Sequence, residues 1–77
     1  MPEISRFYGI VVKMFFDEHP PPHFHAIYAE HEELIEIKTL ATYVGSLPKT
    51  QRTKVIEWAK TKQEYLMQNF QRLNPRL

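Results

Sequence analysis

The sequence predicts an α+β domain, a small antiparallel β-meander of three or four strands with one long C-terminal helix packed on one face. Two patterns carry this prediction. Residues 4–38 alternate between faces with period 2, the repeat of a strand. Residues 48–71 place apolar side chains on a stripe of helical period. A chain of 77 residues has room for one core, so residues 1–77 form a single domain. An apolar share of 43% and an aromatic share of 13% supply that core and exclude a disordered chain.

Ile4 to Phe16 reads as one long strand, with Ile4, Arg6, Tyr8, Ile10, Val12, Met14 and Phe16 sharing a face. Phe7, Val11 and Phe15 make the other face partly apolar, which places the strand centrally or against another chain. Gly9 marks a bulge or a close backbone approach. Pro20, Pro21 and Pro22 interrupt pairing, because each lacks an amide donor and favours an extended path. Pairing resumes from His23 to Ala29, and Leu34 to Lys38 returns alongside it. A two-residue turn at Glu30-His31 sets His25 opposite Glu36 and Phe24 opposite Ile37, whereas a three-residue loop exchanges the faces. The first register is expected because it pairs apolar with apolar. A short extended piece, Leu40 to Val44, ends at Gly45.

Pro48 opens the helix as an early-turn proline does, with Ser46 as a candidate N-cap. The helix should run to about Gln71 and stop before Asn74-Pro75, since the residue before a proline is steered from helical angles. Its stripe is Val55, Ile56, Ala59, Leu66, Met67 and Phe70, and Arg52 and Gln63 fall inside it.

The net charge of +1 conceals a division along the chain. Residues 1–48 carry three basic and seven acidic side chains, and residues 49–77 carry seven basic and two acidic. The basic C-terminal part suits an acidic partner or a phosphate backbone. With no cysteine, neither a disulfide nor a thiolate metal site can form, so any metal must be held by histidine and carboxylate. No basic-then-apolar leader and no apolar run of spanning length is present, so the expectation is a cytoplasmic protein with no membrane association.

Asp17-Glu18-His19-Pro20-Pro21-Pro22-His23-Phe24-His25 holds three of the four histidines. His23 and His25, two apart on a strand, project from the same face. One imidazole could take a proton from a ribose hydroxyl while the other delivers one to the leaving oxygen, with Arg6 and Arg52 as the phosphate clamp. The alternative is a metal site of His19, His23 and His25 with Asp17 or Glu36, suited to zinc, nickel or copper. The bland reading of the same pair is a strand entrance, and of the two arginines a place at the rim of the core.

Arg6-Phe7-Tyr8-Gly9, Pro21-Pro22-His23-Phe24-His25, Gly45-Ser46-Leu47-Pro48 and Glu57-Trp58-Ala59 together resemble a small bacterial family, domain of unknown function 4160, over nearly the whole chain. The resemblance assigns no catalytic residue. It implies a gene beside that of another small protein, an arrangement like a toxin–antitoxin pair. With the histidines, the expected function is RNA cleavage or binding at His23 and His25 without a cofactor. The alternative is a non-enzymatic module that binds a divalent metal such as zinc, or another protein. RNA, the neighbouring small protein and a second copy of the chain are the expected partners.

Overall fold

Tyr8 and Gly9 turn the chain back on itself where the alternation predicts one continuous strand. In the computed structural model, which describes residues 3–16 and 18–76, both residues are left-handed, with φ of 52° and 75°. A two-residue hairpin turn of this kind needs positive φ at both central positions. β1 (Glu3–Phe7) and β2 (Ile10–Lys13) therefore form an antiparallel hairpin, with Phe7 opposite Ile10 and Arg6 opposite Val11. The predicted long strand is two, and Gly9 is a turn residue. Arg6 consequently shares a face with Val11 and not with the buried Ile10 and Val12.

β3 (His23–Tyr28) and β4 (His31–Glu36) form the next hairpin. Its turn is Ala29-Glu30, one residue earlier than expected, and Ala29 takes the left-handed conformation with φ 52°. His25 is opposite Leu34, and Phe24 is opposite Ile35. Each partner differs from the expected one by two residues, an even shift that preserves the faces. Phe24, Ala26 and Ile35 still turn inward, where they are fully buried.

β5 (Thr42–Ser46) completes a sheet ordered β1-β2-β3-β4-β5, so five strands replace the three or four predicted. Gly45 has φ 80°, and a Cβ there would lie 2.2 Å from the Glu32 carbonyl oxygen. Only glycine lets β5 approach β4 this closely.

The helical stripe is also divided, into α1 (Lys49–Lys60) and α2 (Gln63–Leu73). Neither proline nor glycine marks the break. Thr61 Oγ donates to the Trp58 carbonyl, and Gln63 Nε2 donates to the Ile37 and Lys38 carbonyls at 2.9 and 3.1 Å. Bonds to the turn after β4 thus fix the start of α2, and tertiary structure overrides a pattern that locally supports one helix. Val55, Ala59, Leu66 and Phe70 of the predicted stripe are buried against the sheet, with Ile56 and Met67 partly buried.

Arg52 lies in the stripe because it has a buried partner. Its Nε donates to Glu33 Oε2 at 2.9 Å, and Glu33 is fully buried on the inward face. Thr42 Oγ1 and the Leu47 amide also donate to that carboxylate, so its lone pairs are well supplied. Among the described residues no helix is long and apolar enough to cross a membrane.

Candidate metal centre

The loop between β2 and β3 and the first residues of β3 bring three ligating groups together. Glu18, His23 and His25 each offer one ligand atom, all within 4.8 Å of one another. Strand alternation places both histidines on one face, with ring centroids 5.4 Å apart. The prolines return the chain so that Glu18 meets them: its Oε1 is 2.6 Å from His25 Nε2, and its Oε2 is 3.5 Å from His23 Nε2.

Hydrogen bonds fix which nitrogen of each ring faces this point. His23 Nδ1 is 2.8 Å from the Pro21 carbonyl oxygen, which can only accept, so Nδ1 carries a hydrogen. In the neutral ring the lone pair of His23 is then on Nε2. That atom is buried in a residue only 2% exposed, and it has no hydrogen-bond partner among the described residues. His25 Nδ1 is 2.8 Å from Glu32 Oε2. A carboxylate on the far nitrogen holds the ring orientation and makes the near nitrogen a stronger ligand.

Burial is graded across the cluster. His23 is enclosed, His25 and Glu18 are nearly so, and Glu32 is half exposed. The Phe15 ring stands edge-on to His25 at 4.4 Å, and Tyr43 and Phe70 flank His23 at 5.5 and 5.8 Å. Two carboxylates among two imidazoles inside an aromatic wall favour a divalent cation, whose charge matches theirs.

Of the described residues expected to act here, His23 and His25 converge, and His19, Glu36, Arg6 and Arg52 are placed elsewhere. His19 is exposed and outside the cluster, and Asp17 lies outside the described residues. Glu36 is paired with His23 along the backbone, but its carboxylate accepts from Thr39 Oγ1. Arg6 is held by Glu3 at 2.8 Å on an exposed surface, and Arg52 is held by Glu33. The hydrogen bond from Arg6 keeps the Glu3 carboxyl below the usual carboxylate range and raises the guanidinium above its own. Neither arginine is part of the histidine cluster.

Glu18 and Glu32 were missed as partners. Glu18 adjoins Asp17 in sequence, and no periodic spacing chooses between two neighbours in a loop. Glu32 follows from a turn at Ala29-Glu30, which sets it diagonally across the ladder from His25, within reach of a long side chain.

Asn74 joins this region from the other end of the chain. Its Oδ1 accepts from the Glu18 amide at 2.7 Å, and its Nδ2 donates to the Phe15 and Phe70 carbonyls at 3.3 and 3.1 Å. A family model described as "Domain of unknown function (DUF4160)" matches residues 9–71, which include the whole cluster. No curated protein and no solved structure matches the chain.

Proposed function

Since the chain belongs to the DUF4160 family, whose description leaves function open, we propose from the site itself that it is a metal-binding protein holding a divalent transition metal through Glu18, His23 and His25. The observation that carries this reading is His23 Nε2, a buried atom with no hydrogen-bond partner among the described residues, 3.5 Å from a Glu18 carboxylate oxygen. Leaving a buried polar atom unsatisfied costs about 1–3 kcal/mol, which a ligated ion would offset. Two ligands of a tetrahedral zinc stand about 3.3 Å apart, so the cluster closes on an ion with shifts of about an ångström.

Two nitrogens and a carboxylate, without thiolate, suit zinc, nickel or copper. Three protein ligands leave a position for water, and the bound ion would supply Lewis-acid chemistry there. Glu32 orients His25 from the outside, and the aromatic rings limit water around His23.

Metal-independent RNA cleavage has less to rest on. Both ring nitrogens of His25 are engaged by carboxylates, His23 is enclosed, and both arginines offered as a clamp are committed to other acids. The test is thermal unfolding of chelator-stripped protein with and without equimolar zinc or nickel. The ion should raise the Tm, and His23→Ala should remove the rise. No rise at hundreds of micromolar metal would exclude the site.

A further inference from the structure

We propose that Asn74 is a positioning residue for this centre, linking metal binding at Glu18 to the docking of the C-terminal end of α2. The inference rests on the metal reading above. Glu18 lies in the loop between β2 and β3, outside the ladder of either strand, so something must hold its backbone if the carboxylate is to face His23 and His25. Asn74 does so from 56 residues away, accepting the Glu18 amide hydrogen at 2.7 Å.

The same side chain uses its amide group on two other elements, the carbonyl of Phe15 just after β2 and the carbonyl of Phe70 within α2. Asn74 is 3% exposed, and its own N–H caps α2 on the Phe70 carbonyl at 2.9 Å. Both functions of the side-chain amide are therefore committed, one to the ligand loop and one to the strand exit and helix end. An aspartate there would turn a carboxylate oxygen toward two carbonyl oxygens, and a serine would not span the three partners. Phe70, one turn earlier, packs against the His23 ring, so the end of α2 touches both sides of the cluster.

An ion that fixes Glu18 must then steady Asn74 and the last turn of α2, and a loosened Asn74 must weaken the ion. Linkage makes the two effects reciprocal. Outer partners of metal ligands are worth about 10–100-fold in affinity.

The experiment uses the whole chain and zinc as the probe, with affinity from competition against a chromophoric chelator and protection from amide hydrogen exchange. Asn74→Ala should bind zinc at least about tenfold more weakly than wild type. Val55→Ala, which shortens a buried side chain in α1 away from the cluster, should lower the Tm without that loss of affinity. In wild type, zinc should slow exchange at Glu18 and at residues 70–74 in the same titration. Equal zinc affinity in Asn74→Ala, or protection confined to residues 18–32, overturns the linkage while leaving the metal site standing. If Asn74→Ala does not fold, the wild-type exchange pattern decides alone. A wild type that does not respond to zinc at all overturns the metal reading instead.

Discussion

Glu32 separates a metal site from a chance meeting of histidines, because it touches only the far nitrogen of one ligand. Its carboxylate holds His25 Nδ1 at 2.8 Å while remaining half exposed. Glu32→Gln should reduce zinc affinity about 10–100-fold in a competition titration, with the stability of the protein without zinc little changed. Glu36→Gln is the matched control, since Glu36 bonds to Thr39 and should leave affinity as it was. On the edge strand β1, Arg6 holds the Glu3 carboxyl below its usual range, so Arg6→Ala should let Glu3 titrate at higher pH, as followed by NMR. The sign for stability follows from a depressed acid: the contribution is present above the unfolded-state value and is lost as pH falls through the folded-state one. Both groups are fully exposed, and the effect on stability is correspondingly slight.

Among the elements, α1 and the β4–β5 pair share an ion pair between the buried Glu33 and the partly exposed Arg52, which the helical pattern marks only as a polar intrusion. Glu33→Ala should destabilise by about 3 kcal/mol in chemical unfolding, because it removes the partner of Arg52 and the acceptor of Thr42 and Leu47. Ala59→Glu should cost several kcal/mol, because an unpaired carboxylate would enter a fully buried position. A folded Ala59→Glu protein of wild-type stability would contradict the packing of α1 on the sheet. Alternation and the helical stripe identified the inward faces of β2, β3, β4 and the two helices, since faces depend on parity and on the 3.6 repeat, but in β1 the turn puts Phe7, not Arg6, on the face of Ile10. They could not place the Tyr8-Gly9 turn, because Phe7, Val11 and Phe15 leave both faces of that stretch partly apolar. Nor could they find the break at Thr61-Lys62, which is fixed by Gln63 reaching carbonyls 25 and 26 residues away. The histidine pair was legible for the same reason as the strands, its spacing of two. Glu18 and Asn74 were not, because a loop path and a contact across 56 residues leave no periodic trace.

Over the whole molecule, the division of charge becomes a division of layers. The acidic first part forms the sheet and contributes Glu18, His23 and His25, and the basic second part forms α1 and α2. Such a small domain has one modest core, so an ion that binds only the folded chain should alter its stability visibly. At a free concentration one hundred times its Kd the ion adds about 2.7 kcal/mol. For a domain of this size that corresponds to a rise in Tm of about 10–20 °C. If His23 and His25 offer their Nε2 atoms to one ion, the long-range 1H–15N spectrum of the histidine rings records it during a zinc titration. One equivalent should move the Nε2 resonances of His23 and His25 together, keep Nδ1 protonated in both, and leave His19 and His31 in place. Unchanged His23 and His25 resonances at saturating zinc, or shifts confined to His19 and His31, would contradict it.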